Sequence, residues 1–203
     1  MITIIDYGMG NTGSIVNMLK KIGVKARITS DIEEIATAQK IILPGVGHFD
    51  RAMERIDKSG LKEILDHKAL TEKVPVLGIC LGMQLLTMSS EEGECNGLGW
   101  IPAKTIRFRF SKESNLKIPH MGWNLVHQST PSSLTKDFEP EHRFYFVHSY
   151  HVQVEDEKYS ILKTEHGYLF DSAIQNDNIF GVQFHPEKSH RFGMRLLENF
   201  AKL

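Results

Sequence analysis

Short β-branched runs alternate with stretches of helical periodicity through the first 90 residues, and few folds other than a parallel sheet covered by helices satisfy that alternation. "MITIID" reads as a first strand, and a glycine-rich turn leads to a helix carrying Ile15, Met18, Leu19 and Ile22 at helical spacing, with Gly23 as its stop. "VKARITS" is a second strand, after which Ser30 and Glu33 read as a capping box that opens a short helix through Ala38. "KIILPGVG" is a third strand. An amphipathic stretch over residues 49–67, interrupted near Gly60, returns the chain to "VPVLGI", a fourth strand, and "LGMQLLTMSS" then reads as a helix.

The second half changes character. "AKTIRFRF", "LKIPHMGWNLV", "RFYFVHSYHVQV", "YSILKTE", "YLFDSAIQ" and "NIFGVQF" are short alternating or aromatic runs between turn signals, the pattern of an antiparallel or mixed extension of the sheet. "FGMRLLENFAKL" closes the chain as a helix with Met194, Leu197 and Phe200 on one side. At 203 residues the chain has the size of one α/β domain spanning residues 1–203.

Charge narrows the setting. Twenty-four Lys and Arg against 25 Asp and Glu leave a formal charge of −1 with no basic block, which argues against nucleic acid as a partner. The N-terminus lacks the features of a secretion signal, so the expected compartment is the cytoplasm. Residues 74–90 are uncharged, but they include Pro75, Gly78, Gly82 and Gln84 and are short for a bilayer span, so no membrane segment is expected. Cys80 and Cys95 do not make a disulfide framework and are expected to be free thiols.

Cys80 stands between two glycines, in Gly78-Ile79-Cys80-Leu81-Gly82, where a strand gives way to a helix. This is the form of a nucleophile elbow with a thiol in place of the hydroxyl. The glycines let neighbouring elements approach a sharp turn. The amides that open the following helix favour a thiolate, and the Leu81 N–H is placed to meet an oxyanion. The same cysteine could instead be a small buried apolar residue.

A reactive thiol needs a base, and "VQFHPEKS" offers His185 with Glu187 two residues on. Alternate residues of an extended segment share a face, so Glu187 can orient an imidazole presented to the thiol, and Pro186 favours extension at His185. A metal reading is weaker. His148 and His151, or His185 and Glu187, could be two ligands, but no further ligand stands at a recognisable spacing.

An elbow cysteine followed by His-Pro-Glu resembles the triad of the class I glutamine amidotransferases. "DYGMGN", "LPGVGHF", "GICLGMQLL", "IPHMGWN", "FVHSY" and "QFHPEKS" extend the resemblance over almost the whole chain, toward the glutaminase subunits of imidazole glycerol phosphate synthases. The resemblance implies a three-layer α/β fold and a reaction that needs neither cofactor nor metal. Cys80 would attack the glutamine γ-amide to form a thioester, with His185 as acid and then base and Glu187 holding it. Gly45, Val46 and Gly47 would form an oxyanion strand with a flipping peptide. Gln84, His148, Ser149 and Tyr150 would grip the amino-acid end of glutamine. Asn11, Trp123, Asn124 and Lys188 would face a (β/α)₈-barrel cyclase subunit that receives the ammonia, forming a heterodimer in histidine biosynthesis.

Other readings compete. Gly8, Gly10 and Gly13 fit G-x-G-x-x-G between a strand and a helix, with Asp31 18 residues past Gly13, which is the form of a dinucleotide-binding fingerprint; it leaves Cys80, His185 and Glu187 unexplained. A partner-independent cysteine hydrolase could use the same elbow, and a non-catalytic scaffold is a third alternative. Within the family, Thr12, His151 and His190 depart from the leucine, tyrosine and glutamine expected in the histidine-pathway subunit. None touches the triad. They bear on the acceptor of ammonia, for which an acetamido-sugar amidotransferase of surface-polysaccharide biosynthesis is the alternative.

Overall fold

A computed structural model describes residues 1–111 and 113–203. Its first half runs β1 (Ile2–Ile5), α1 (Thr12–Lys21), β2 (Ala26–Thr29), α2 (Ile32–Ala36), β3 (Ile41–Gly45), α3 (Phe49–Lys58), α4 (Leu61–Asp66), β4 (Val76–Cys80) and α5 (Leu81–Leu85). The second half adds β5 (Ser89–Ser90), β6 (Ala103–Arg107), β7 (His120–Leu125), β8 (His127–Gln128), β9 (Arg143–His148), β10 (Tyr150–Val154), β11 (Ser160–Glu165), β12 (Leu169–Asn176), β13 (Ile179–Val182) and α6 (His190–Lys202).

The main sheet is ordered β2-β1-β3-β4-β13-β12-β10-β6-β5, and β11 bridges β12 to β8. The strands from β2 to β13 pair in parallel, and beyond them β12, β10 and β6 run antiparallel. β7 and β9 form a separate antiparallel ribbon. Every residue of β1, β3, β4 and β13 is buried, as continuous apolar strands covered on both faces must be. Ile2 and Ile4 pack with Leu19 of α1 and Leu196 and Phe200 of α6 in one core. Ile5 and Leu43 join Ile35, Met53, Ile56 and Leu61 of α2 to α4 in the other. The result is the expected three-layer arrangement of helices, sheet and helices, with the antiparallel strands as its extension.

Several local expectations need correction. The cap of α2 is Asp31, not Ser30: its carboxylate accepts from the Glu33 and Glu34 amides, at 2.8 and 3.2 Å, because Ser30 precedes the turn by one residue. The helix after Cys80 stops at Leu85, and Ser89–Ser90 instead pairs beside β6, so the apolar run past the elbow is buried coil and edge strand. In α6 the buried face is Phe192, Leu196, Leu197 and Phe200, while Met194 is half-buried. Gly60, at φ 69°, does break the amphipathic stretch, separating α3 from α4.

Candidate active site

Cys80 ends β4 with φ 55° and ψ −111°, a backbone conformation that non-glycine residues rarely adopt and that costs on the order of 1–3 kcal/mol. Close approach on both sides maintains it. A Cβ on Gly82 would lie 1.9 Å from the Leu43 carbonyl oxygen, and one on Gly78 would lie 2.6 Å from the Gly82 carbonyl oxygen. The elbow therefore closes only around glycines. Gly45 pairs in register with Cys80, which brings the end of the "PGVG" strand alongside the thiol, at the carboxyl edge where parallel sheets place their sites.

His185 is extended, at φ −103° and ψ 96°, as a residue before proline should be. Its Nδ1 lies 2.8 Å from Glu187 Oε1. The local route differs from a strand with a shared face: residues Pro186–Lys188 form a 3₁₀ turn that carries the carboxylate back to the ring. Both side chains are buried, and His185 Nε2 has no hydrogen-bond partner within the described residues. Burial lowers the imidazole's pKa, but the neighbouring Cys80 and Glu187 raise it more strongly, so it is pushed up to about 9. At neutral pH the ring is an imidazolium beside the sulfur. α5 is one short turn and carries only a fraction of a helix macrodipole.

Cys80 and His185 line one cavity of about 300 Å³ together with Val46, Gly47, Leu81, Gln84, His148, Ser149, Tyr150 and Lys188. The structure thus gathers three strand ends, the elbow and the β9–β10 bend around a single nucleophile. Glu187 stands behind His185. A thiol and an oriented imidazole lining the same pocket are equipped for acyl transfer at a carboxamide or ester.

A profile of the family described as Glutamine amidotransferase class-I matches residues 3–203. The chain belongs to that family. It is 57% identical to imidazole glycerol phosphate synthase subunit HisH 2 of Methanococcus maripaludis, over 100% of this chain and 99% of that protein. It is 46% identical to the HisH 2 subunit of Pseudomonas aeruginosa over the full length of both. Among solved structures, a glutamine amidotransferase superposes with a TM-score of 0.73 at 16% identity over 100% of both chains. PurLQS from Thermotoga maritima superposes with a TM-score of 0.72 at 17% identity, over 99% of this chain and 97% of that one. These two likenesses concern the fold.

In this amidotransferase the other anticipated residues divide. Lys188 reaches from the pocket wall over the Tyr145 ring, 5.8 Å from its centroid, and Trp123 packs edge-on to Tyr145 and stacks on His190 at 5.6 Å. Asn11 is the N-cap of α1, its side chain accepting from the Ser14 amide at 3.3 Å. Asn124 turns inward: on β7 the exposed side chains are Met121, Trp123 and Leu125, whereas His120 and Asn124 face the body of the protein. His148 has both ring nitrogens engaged, Nδ1 at 2.7 Å from the Tyr150 carbonyl and Nε2 at 2.9 Å from His120 Nδ1, so it shapes the pocket and has no free nitrogen to offer a ligand.

Two further residues stand at the site without a sequence motif to assign them a role. Gln183 is fully buried and its Nε2 lies 3.8 Å from Cys80 Sγ; its alternation with His185 was the available signal. Glu92 lines the cavity, and its Oε2 accepts from the Phe49 amide at 2.9 Å. It comes from a loop with no sequence pattern to mark it.

The glycine fingerprint has other work here. A Cβ on Gly13 would meet nothing within 4 Å, so this glycine does not serve the close helix–strand packing that the third glycine of a dinucleotide motif supplies. The Gly8 carbonyl accepts from Arg55 Nη1 at 2.6 Å, and Asp31 is spent on the α2 cap. Among the described residues no three His, Cys, Asp or Glu side chains are grouped to hold a metal ion, and no helix is long and apolar enough to cross a membrane. Cys80 and Cys95 are both free.

Proposed function

We propose that the chain is the glutaminase subunit of imidazole glycerol phosphate synthase, acting in the cytoplasm as one domain over residues 1–203 and supplying ammonia for histidine biosynthesis. The observation that carries the chemistry is the His185 ring, with Nδ1 held by buried Glu187 and Nε2 unpaired in the cavity that Cys80 lines. Full-length identity to two subunits of that synthase supports the pathway.

In the first half-reaction Cys80 Sγ attacks the γ-carbonyl carbon of glutamine. Negative charge gathers on the carbonyl oxygen, where the Leu81 N–H and the Gly45-Val46-Gly47 backbone receive it. His185 gives its Nε2 proton to the departing nitrogen, the C–N bond breaks, and a γ-glutamyl thioester and ammonia remain. Neutral His185 then takes a proton from water as it attacks the thioester, and the C–S bond breaks to give glutamate and the thiolate. Glu187 fixes the ring and stabilises its charged form in both halves.

The amino-acid end of glutamine is held opposite the thiol. Gln84 spends its amide on Tyr150 and Gln183, which leaves its carbonyl oxygen to accept from the substrate ammonium, with the Glu92 carboxylate beside the same cavity. Ser149 and the Tyr150 backbone serve the carboxylate. The partner is a (β/α)₈-barrel cyclase that covers Asn11, Trp123 and Lys188, with Asn124 turned inward on the same ribbon as Trp123, and takes up ammonia before it protonates in bulk water.

The test is glutamate release from glutamine by the chain alone, with the cyclase, and with the cyclase plus its ribosyl-carboxamide nucleotide. A weak basal rate that rises sharply only in the full mixture is expected. No stimulation by a demonstrably active cyclase would overturn the histidine assignment and point to an acetamido-sugar acceptor.

A further inference from the structure

An unbroken chain of hydrogen bonds joins the β7 ribbon to the nucleophile. Asn124 Nδ2 donates to the Glu165 carbonyl at 2.8 Å and to His120 Nε2 at 3.1 Å. His120 Nδ1 lies 2.9 Å from His148 Nε2, its direct cross-strand neighbour in the ribbon, and His148 Nδ1 lies 2.7 Å from the Tyr150 carbonyl. That carbonyl also accepts from Gln84 Nε2 at 3.2 Å, and the same nitrogen donates to Gln183 Oε1 at 3.1 Å. Gln183 Nε2 then reaches Cys80 Sγ at 3.8 Å.

The two ends fix the direction of the histidine segment. An amide nitrogen only donates and a backbone carbonyl only accepts. The Glu165 carbonyl sets which way the Asn124 amide faces, so His120 Nε2 must accept, and the His120 proton sits on Nδ1. That proton goes to His148 Nε2, which leaves the His148 proton on Nδ1, facing the Tyr150 carbonyl. Both rings are held as Nδ1–H tautomers. Burial keeps them neutral, as this arrangement needs: it pushes His120 down to about 4 and His148 well below the ordinary histidine range.

We propose that this chain is a relay, running one way from Asn124 to the Tyr150 carbonyl where the Gln84 amide meets it, through which the placement of β7 sets the Gln183 amide against the Cys80 thiol, making His120 and Gln183 positioning residues for glutamine hydrolysis. Its outer end lies under the face that β7 exposes. Met121, Trp123 and Leu125 point out, and the alternate residues His120 and Asn124 point in, so a protein seated on the outer side chains bears on the relay through the strand itself. β9 adds a second tie, because the Tyr145 carbonyl, paired with Trp123 in the ribbon, accepts from the His185 amide at 2.9 Å. The coupling half of the inference rests on the partner reading above. The tautomers do not.

The experiment has two arms chosen to separate those readings. In the isolated chain carrying ¹⁵N-labelled imidazoles, long-range ¹H–¹⁵N spectra should show His120 and His148 as Nδ1–H tautomers. Asn124→Leu, which removes the donor to His120, should shift the ring nitrogens of His148 one residue further along the chain of bonds. Nε2–H tautomers in the parent, or a His148 signal indifferent to Asn124→Leu, would overturn the relay.

In the assembled enzyme, His120→Phe keeps the ring's stacking on His166 and Phe146 and removes both hydrogen bonds. It should lower kcat for glutamine by about tenfold to a hundredfold, the scale of a misplaced reacting group, with a smaller rise in KM transmitted through Tyr150 and Gln84 and with affinity for the cyclase unchanged. An unchanged kcat, or a loss explained by weaker partner binding, would overturn the positioning role. A parent enzyme that the cyclase fails to stimulate would instead overturn the partner reading, with the tautomers still deciding the relay.

Discussion

Replacing Glu187 by glutamine keeps the shape of a buried side chain while removing the charge 2.8 Å from His185 Nδ1. The His185 pKa stands at about 9 against an ordinary 6.5, so its charged form is favoured by roughly 3 kcal/mol over that of a free imidazole. Burial opposes the shift, and Cys80 and Glu187 together overcome it. If the two neighbours share the work about equally, Glu187→Gln lowers the pKa by on the order of one unit or more. The reactive form pairs a thiolate with an imidazolium and is lost as pH rises through the histidine pKa, so kcat/KM for glutamine should fall near pH 9 in the parent and at least about a unit lower in the variant. The glutamine amide can also turn its NH₂ toward Nδ1 and hold the wrong tautomer, for which a rate loss of about 10²- to 10⁴-fold is expected at neutral pH. The assay is the pH profile of glutamate release, with an NMR titration of the His185 ring as an independent reading of the same group. A high-pH limb at the same position in both proteins, or one displaced upward, would refute the assignment of Glu187 as the charge that holds His185.

Gly82→Ala would place a Cβ 1.9 Å from the Leu43 carbonyl oxygen, a backbone atom that cannot swing aside, so urea denaturation should show a loss of about 3 kcal/mol or more together with lost activity. Parent-like stability would mean that the elbow does not pack against β3 as described. Phe184→Ala removes a fully buried ring stacked on Phe144 at 3.8 Å and edge-on to Phe146, between Gln183 and His185 in sequence; a loss of about 3–5 kcal/mol is expected by the same measurement. Linkage gives a pH signature as well. The folded pKa of His185 is raised, so its stabilising contribution is complete below the unfolded value of 6.5 and disappears as pH passes about 9. The stability gap between the parent and His185→Gln should narrow across that window by up to about 3 kcal/mol, and a gap that widens with pH would contradict the sign.

Much of the architecture was legible because buried parallel strands write themselves as apolar runs. β1, β3 and β4 stood out in this way, and Gly23 and Gly60 marked breaks where positive φ is required. The limits of α5 were not legible. Its apolar composition continues past Leu85, and only tertiary pairing of Ser89–Ser90 beside β6 ends the helix. The α2 cap slipped by one residue because Ser30 and Asp31 are both good caps and the turn geometry chooses between them.

The site divided along similar lines. Cys80, His185 and Glu187 could be nominated from local motifs, because a strained elbow and an oriented imidazole each leave a short-range signature. His120, Glu92 and the hydrogen-bonding commitments of His148 are properties of contacts between distant segments. His120 meets His148 across 28 residues of sequence, and no local pattern announces such a pair. The inward face of Asn124 is intermediate: strand alternation from Trp123 predicts it once β7 is known to have one exposed side.

The most direct single measurement is turnover by Cys80→Ala assembled with the cyclase, driven first by glutamine and then by added ammonium salt. A nucleophile that only feeds ammonia to a partner should be dispensable for the second and essential for the first. Glutamine-driven turnover should vanish while partner binding and ammonium-driven turnover stay at the parent's level. Glutamate release from the variant at the parent's rate would show that Cys80 is not the residue that attacks the amide.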